Sequence, residues 1–148
     1  MISQNHIFLN QQCKSQHEMF DFLANAIVSL GYGKNARQIK KALIQREKES
    51  TTGMMDGFAI PHAKSAAISS PAVIVVKNNI PLEWQSMDGE KIHVVIGLFI
   101  PEDEAGTTHL QMLSKISRML MNEEKKQLIK EAHNEEEILS VIQESITN

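Results

Sequence analysis

The sequence predicts one α/β domain in which a mixed β-sheet is flanked by helices on both faces. Segments with apolar residues at helical spacing lie on either side of short apolar runs rich in β-branched residues. Those runs are apolar at successive positions, which is typical of strands covered on both faces by helices. A length of 148 residues without a proline-rich or glycine-serine linker fits one domain, so we expect residues 1–148 to fold as a unit.

Two amphipathic helices are predicted in the first third of the chain. Ser15 and Glu18 have the spacing of a capping box, and the apolar residues after them recur on one helical face until Gly31 ends the helix. Asn35 is a suitable cap for a second helix. Arg46 lies in the C-terminal part of this second helix, immediately before a polar turn rich in serine and threonine.

Three apolar runs predict the strands of the sheet. Residues 58–60 make a short strand, residues 72–76 a β-branched one and residues 92–100 a longer one. Residues 1–15 are largely polar and carry no predicted strand or helix.

Three further helices are predicted after the last strand. Thr107 or Thr108 can cap the first of them, which places His109 in its first turn. A second helix is expected around residues 123–133, and Asn134 can cap the last one.

Composition and charge exclude several classes of function. A formal net charge of −3 provides no basic surface for nucleic acid, because lysine and arginine are scattered and the last third is acid-rich. Cys13 is the only cysteine, which fits a reducing cytosol. The longest apolar stretch, residues 94–100, is too short to cross a bilayer, and residues 1–15 lack a secretory signal. We expect a cytoplasmic protein that neither binds nucleic acid nor inserts into a membrane.

A motif at residues 57–65 points most directly to chemistry. Pro61 fixes its own φ and favours an extended Ile60, so His62 lies on a well-defined turn after a short strand. A histidine held in this way, with Lys64 close behind it, suits a nucleophile that accepts a compact anion such as a phosphoryl group. A lone histidine at such a corner is more often structural, so the rest of the chain has to decide.

The remaining motifs favour phosphoryl chemistry over other reactions. The chain has no glycine-rich nucleotide loop, dinucleotide fingerprint, Gly-x-Ser-x-Gly elbow or His-Glu-x-x-His motif. His109 at a helix start and Arg46 before a turn suit the binding of a phosphoryl group beside His62. A metal-dependent hydrolase with His62 and His109 as ligands is an alternative, although no third ligand has matching spacing. We expect neither a metal nor a cofactor.

These segments together resemble the fructose- and mannitol-type EIIA domain of the bacterial phosphoenolpyruvate-dependent sugar phosphotransferase system. The resemblance covers nearly the whole chain, and the matching segments are residues 46–53, 57–65, 81–84, 87–89, 94–101 and 109–110 together with Leu113. Joint agreement of the Gly, Pro and His motif with a His-Leu pair about fifty residues later is improbable by chance. Phe58 stands where a smaller aliphatic residue is common and is expected to alter the site wall. Lys64 stands where arginine is frequent, and neither departure removes the acceptor.

The resemblance implies a phosphocarrier with its acceptor on His62. In this family the histidine after the proline receives a phosphoryl group from the protein HPr. It passes the group to an EIIB component, which phosphorylates the sugar during transport and is linked to a membrane EIIC. His109 matches the family's second histidine, and Arg46 matches its active-site arginine. A regulatory EIIA of the nitrogen-regulatory type, whose phosphorylation state controls partner proteins, is the alternative within the family.

Overall fold

A mixed β-sheet forms the centre of the fold in the computed structural model, which describes residues 1–104 and 106–147. Within those residues its strands are β1 (Ile7–Gln11), β2 (Phe58–Ala59), β3 (His62–Ser65), β4 (Ala72–Leu82) and β5 (Ile92–Pro101). The strand order is β1-β4-β5-β2, and β3 continues along the same edge of β5 as β2. β4 and β5 are antiparallel, whereas the other pairs are parallel.

Helices cover both faces of this sheet. In the described part of the chain they are α1 (Gln16–Ser29), α2 (Ala36–Glu49), α3 (Thr107–Met119), α4 (Glu123–Glu131) and α5 (Glu135–Thr147), with short 3₁₀ turns at Gln4–His6 and Glu102–Glu104. α1 and α2 share a hydrophobic core with one face, and α3, α4 and α5 share a second core with the other. This confirms the predicted α/β fold with a mixed sheet between helices. None of the described helices combines the length and apolarity needed to cross a bilayer.

The long strand β4 shows why the central runs are apolar at every position. Ile74 and Val76 belong to the core shared with α1 and α2, while Val73 and Val75 belong to the core shared with α3, α4 and α5. Successive side chains of a strand point to opposite faces, so a strand between two helical layers has no solvent-facing side. β4 also continues beyond the predicted residues 72–76, as far as Leu82.

Side-chain caps begin several described helices where the sequence predicts them. The N–H of Glu18 donates to Ser15 Oγ at 3.0 Å. Asn35 and Asn134 each accept the equivalent bond from the residue three positions later, at 3.1 and 3.0 Å. These bonds satisfy backbone donors that the first turn of a helix leaves without partners.

The start of α3 differs from the prediction. Gly106 is the N-cap and makes no side-chain cap bond, while Thr107 is already the first helical residue. The prediction that Thr107 or Thr108 caps this helix is therefore wrong. His109 nevertheless lies in the first turn as predicted, close to the positive end of the helix dipole.

β1 lies in a segment for which the sequence predicts no strand. Ile7 is buried and pairs in parallel with Val75 of β4. The register then shifts between Phe8 and Gln11, where Asn10 has a positive φ of 55°. A short edge strand with such an irregularity keeps too little alternation to be recognised from sequence.

The chain around His62 also departs from the predicted strand-then-turn arrangement. The strand predicted at residues 58–60 ends one residue earlier, and His62 begins β3 instead of lying in a turn. Pro61 stands in the break and has no N–H, but its carbonyl accepts a bond from the Leu98 N–H at 3.0 Å. This bond keeps the edge of β5 paired across the break.

Candidate active site

Two neighbouring segments fix the backbone that carries His62. On one side β3 pairs with β5, in a register that sets His62 opposite Leu98. On the other side the Ile60 N–H donates to the Thr52 carbonyl at 3.0 Å, which ties the strand edge to the turn after α2. The sheet and the end of α2 therefore meet at this histidine.

The His62 ring is held through both nitrogens. The residue is buried, with 4% of its surface exposed. Nε2 accepts a hydrogen bond from Arg46 Nε at 2.9 Å, and Nδ1 lies 3.0 Å from the Ile60 carbonyl oxygen. A guanidinium can only donate, so Nε2 carries a lone pair and the ring proton lies on Nδ1, which donates to Ile60. The structure thus selects one tautomer.

The charge state of His62 agrees with this arrangement. Burial lowers the pKa of His62, the Ile60 carbonyl partly opposes this effect, and the nearby Arg46 adds to it. Burial and a positive neighbour both disfavour the imidazolium form. His62 is therefore neutral near pH 7, as a nitrogen nucleophile has to be.

Arg46 reaches His62 from the last turn of α2. Besides its bond to His62, it donates from Nη1 to the Ser50 carbonyl at 2.8 Å. That carbonyl belongs to the residue directly after the helix, so the end of α2 itself orients the guanidinium. The charge is held at the imidazole by two bonds rather than left in solvent.

His109 faces His62 from the first turn of α3. The ring centroids are 4.8 Å apart and the ring planes are inclined by 51°. Its Nε2 is buried and has no hydrogen-bond partner among residues 1–104 and 106–147. Burial lowers the pKa of His109 to about 4, with contributions from His62, Lys64 and Arg46. A buried polar atom without a partner is rare in folded proteins and marks a place where a ligand atom can bind.

The three residues predicted for the site lie together around one pocket of about 300 Å³. The pocket is lined by Ala42, Gln45, Arg46, Glu49, His62, Lys64 and His109. Of the ionised side chains among them, Arg46 and Lys64 are positive and Glu49 is negative. The pocket is large enough for a phosphoryl group and carries a net positive charge that favours an anion.

Glu47 is an important residue that the sequence analysis did not identify. Its carboxylate accepts from the Thr52 N–H at 2.8 Å, from Thr52 Oγ1 at 2.5 Å and from Trp84 Nε1 at 3.2 Å. It also accepts from Thr51 Oγ1 at 3.0 Å. Glu47 therefore joins the end of α2 to the turn that positions Ile60. Its place beside Arg46, four and five residues before two threonines, is the only sequence signal for this role.

Phe58 does not form part of the pocket wall. Its ring is fully buried in the core shared with α3, α4 and α5, and Lys130 Nζ lies 5.8 Å from the ring centroid. The next residue along β2, Ala59, faces the other core. The expectation that Phe58 alters the wall of the site is therefore wrong.

Replacing Glu47 by glutamine should lower the free energy of unfolding by about 1–3 kcal/mol, because the amide cannot accept all four bonds. Urea denaturation measures this change. Glu144→Gln is the matched control, since Glu144 is exposed near the end of α5, and we expect it to have little effect. Equal stability of the two variants would contradict the role assigned to Glu47.

Stability should also fall as the pH drops below 6.5. Burial lowers the pKa of His6, His62 and His109 in the folded chain, whereas histidine in an unfolded chain titrates near about 6.5. Between the two values the unfolded chain binds more protons, so acid favours unfolding. For His109 this window extends down to about 4.

Urea denaturation at about pH 7 and about pH 5 measures this dependence. His109→Asn should reduce the loss of stability on acidification, because the variant lacks one of the groups that take up a proton on unfolding. His17→Asn, at an exposed position on α1, is the control and should keep the wild-type dependence. The expectation fails if His109→Asn behaves like the control.

The metal-dependent alternative finds no ligand set in the described part of the chain. Among residues 1–104 and 106–147 no group of three or more His, Cys, Asp or Glu side chains could hold a metal ion. His62 and His109 do lie side by side, but Nε2 of His62 is bonded to a guanidinium. The surroundings of this histidine pair suit an anion better than a cation.

Sequence comparisons identify relatives over nearly the whole chain. The chain is 32% identical over 142 residues to the fructose-specific EIIABC component of the Bacillus subtilis phosphotransferase system, covering 96% of this chain but 22% of that protein. It is 30% identical over 140 residues to the fructose-specific EIIA component of Haloferax volcanii, covering 95% of this chain and 90% of that one. A nitrogen regulatory protein of Bradyrhizobium diazoefficiens is 33% identical over 110 residues, covering 74% and 71%.

Solved structures share the fold at lower sequence identity. The nitrogen regulatory protein IIA-Ntr from Neisseria meningitidis has a TM-score of 0.87 at 22% identity, covering 95% of this chain and 94% of that one. The mannitol EIIA of Escherichia coli, in a complex with its phosphorylated EIIB, has a TM-score of 0.81 at 18% identity, covering 97% of each chain.

A family-wide sequence comparison matches residues 1–145 to the family described as "Phosphoenolpyruvate-dependent sugar phosphotransferase system, EIIA 2". The match extends from the irregular strand β1 to the last helix, so it includes every residue around the pocket. The family resemblance derived from the sequence motifs is confirmed. The chain belongs to the EIIA 2 family of the phosphoenolpyruvate-dependent sugar phosphotransferase system.

Proposed function

We propose that this chain is a phosphocarrier that accepts a phosphoryl group from phospho-HPr on His62 and passes it to an EIIB component for coupled sugar uptake and phosphorylation. The observation that carries the proposal is the lone pair at Nε2 of His62, which is directed to a cation in an anion-favouring pocket. We further propose that residues 1–148 act as one EIIA type-2 domain in the cytoplasm. The proposed reaction requires neither a metal nor a cofactor, because His62 supplies the nucleophile and Arg46 supplies the positive charge.

Phosphoryl acceptance follows from the tautomer of His62. Its Nε2 lone pair attacks phosphorus and forms an N–P bond, while the bond from phosphorus to the donor imidazole breaks and that electron pair returns to the donor. Positive charge develops on the His62 ring, and the Nδ1–H bond to the Ile60 carbonyl stabilises it. When a nucleophile of EIIB attacks the same phosphorus, the N–P electron pair returns to Nε2.

Arg46 has to release Nε2 before the attack, because the same lone pair forms the N–P bond. Its bond from Nη1 to the Ser50 carbonyl can persist during this exchange and keeps the guanidinium in the pocket. Nε is then free to donate to a phosphoryl oxygen. Phosphoryl transfer depends chiefly on positioning and on charge stabilisation, which is what a guanidinium anchored in this way supplies.

His109 is placed to bind another phosphoryl oxygen. The ring is neutral near pH 7 and its buried Nε2 lacks a partner among the described residues, so a tautomer with the proton on Nε2 can donate to the incoming group. Its position in the first turn of α3 adds the favourable potential of a helix N-terminus. His109 therefore acts as a donor and His62 as the nucleophile.

The comparisons support protein partners for this reaction. The Bacillus relative carries EIIA, EIIB and EIIC in its name, and the mannitol EIIA structure is a complex with phosphorylated EIIB. Because this chain spans about a fifth of that Bacillus relative, we propose a functional link to EIIB and to a membrane EIIC without assigning either to this chain. We propose HPr as the donor because HPr is the donor that the resemblance to the family implies.

Reconstitution with phosphoenolpyruvate, Enzyme I and HPr tests the proposal. We expect one acid-labile phosphoryl group per chain, and we expect it to move to EIIB when that component is added. Omitting HPr while keeping Enzyme I is the control and should prevent labelling. A chain that stays unlabelled in the complete mixture would disprove the proposed function.

A regulatory role is the second candidate, and the nitrogen regulatory relative supports it. It would use the same acceptor chemistry but would end in a protein complex instead of sugar phosphorylation. Failure to transfer the phosphoryl group to any EIIB, together with a complex that depends on the phosphorylation state, would favour this role. Transfer to EIIB with concurrent sugar phosphorylation would favour transport.

A further inference from the structure

Lys64 borders the pocket but makes no contact in the transfer proposed for His62, Arg46 and His109. It lies on β3 two residues after His62, so the two side chains point to the same face of the strand. Both line the pocket, with His62 buried and Lys64 exposed. An ammonium on a flexible stem therefore stands on the solvent side of the acceptor imidazole.

Lys64 is not engaged by other side chains in the described part of the chain. Among residues 1–104 and 106–147 no carboxylate lies within ion-pair distance of its Nζ. Lysines that do have carboxylate partners are Lys40, Lys91, Lys126 and Lys130. Besides burial, the charge of Lys64 helps to lower the pKa of both His62 and His109, so it acts on the two rings that face the pocket.

The guanidinium of Arg46, the other cation of the pocket, already donates two hydrogen bonds. Arg46 donates to His62 and to the Ser50 carbonyl, and it can meet a new anion only by giving up a bond. Lys64 needs no such exchange. A phosphoryl group that enters from solvent therefore meets a free ammonium before it meets a free guanidinium.

We propose that Lys64 binds an oxygen of the phosphoryl group as the donor docks, before Arg46 exchanges Nε2 of His62 for the same group. Lys64 is then a further catalytic residue of the transfer. The inference rests on the proposed phosphocarrier function and adds no bond-making step to it. It predicts that the charge at position 64 controls the rate of transfer while leaving the fold unchanged.

The test compares wild type, Lys64→Gln, Lys64→Arg and the control Lys41→Gln, with Lys41 exposed on α2 and outside the pocket lining. We expect Lys64→Gln to accept the phosphoryl group from phospho-HPr about 10- to 100-fold more slowly, the range for losing one hydrogen bond to a charged group. Lys64→Arg and Lys41→Gln should stay near the wild-type rate. The rate of Lys64→Gln should also depend less on salt.

Phosphoramidate, a small donor with a P–N bond, separates contact with the phosphoryl group from contact with a partner protein. Slower labelling of Lys64→Gln by both donors supports the proposal. Slower labelling by phospho-HPr alone would overturn it, because Lys64 would then bind the partner. Unchanged labelling by both donors, or an equal loss in Lys64→Arg, would also overturn it.

Two further readouts separate this inference from the proposed function. Urea denaturation should give Lys64→Gln the stability of wild type, and a large loss would show a structural role instead. If phospho-HPr fails to label even wild type, the proposed function is wrong, while the phosphoramidate comparison still decides the role of Lys64. If wild type is labelled and Lys64→Gln is equally fast, only the inference fails.

Discussion

Replacing His62 by alanine is expected to abolish phosphorylation by phosphoenolpyruvate, Enzyme I and HPr. The substitution removes the Nε2 lone pair, and no other histidine has its Nδ1–H fixed on a carbonyl beside an arginine in the described part of the chain. Intact-mass measurement under conditions that preserve phosphohistidine detects the loss directly. A labelled His62→Ala protein would contradict the assignment of the acceptor.

Two controls show whether the loss of labelling is specific. His17→Ala, at an exposed position, should be labelled like wild type. His109→Ala should still be labelled, but more slowly, because it lacks one donor to the phosphoryl group and keeps the nucleophile. Since His62 is buried, circular dichroism and urea denaturation of His62→Ala must confirm that the variant is folded.

Replacing Arg46 by glutamine should slow phosphoryl acceptance by about 10²- to 10³-fold, the range observed when one positioned donor to a developing charge is lost. The same change should raise the pKa of His62, because Arg46 contributes to its lowering. Rapid-quench kinetics measure the first effect, and an NMR titration of the His62 ring measures the second. Arg37→Gln, at an exposed position in the first turn of α2, is the matched control.

The rate of phosphoryl acceptance and the pKa of His62 together distinguish an electrostatic role of Arg46 from a packing role. A purely structural Arg46 would change stability without the combined loss of rate and rise in the pKa of His62. Arg46→Lys should recover part of the rate, because an ammonium restores the charge but not the second, parallel donor of the guanidinium. A wild-type rate in Arg46→Gln would refute its role in transfer.

Local sequence signals were sufficient for most of the fold. The caps at Ser15, Asn35 and Asn134 form within one turn of chain, so spacing alone identifies them. The apolar runs of β4 and β5 predict strands because both faces are covered. β1 could not be found in the same way, since a short edge strand with a register shift has almost no periodic signal.

The sequence motifs bring His62, His109 and Arg46 together as candidates, but they do not predict how the three side chains are arranged around the pocket. His62, His109 and Arg46 stood out because imidazole and guanidinium suit a phosphoryl group. The bond from Arg46 to Nε2 of His62 depends on how α2 packs beside β3, which local spacing does not reveal, whereas the bond from Nδ1 to the Ile60 carbonyl is local. Glu47 was missed for the same reason, because its partners include Trp84 on another segment.

The family and the geometry of the pocket support different parts of the proposed acceptor assignment. The proposed function requires a histidine acceptor, and the hydrogen bonds of the pocket are the reason that we propose Nε2 of His62 as the nucleophile. An unprotonated Nε2 and a carbonyl-bound Nδ1 leave one atom of His62 able to form the N–P bond. The proposed acceptor is therefore a single atom, Nε2 of His62.

Phosphorus-coupled ¹H–¹⁵N NMR of the phosphorylated protein tests this assignment, because it identifies the nitrogen that is bonded to phosphorus. We predict coupling to Nε2 of His62, with a proton retained on Nδ1. Coupling to Nδ1 of His62, or to a nitrogen of His109 or any other residue, would disprove Nε2 of His62 as the acceptor.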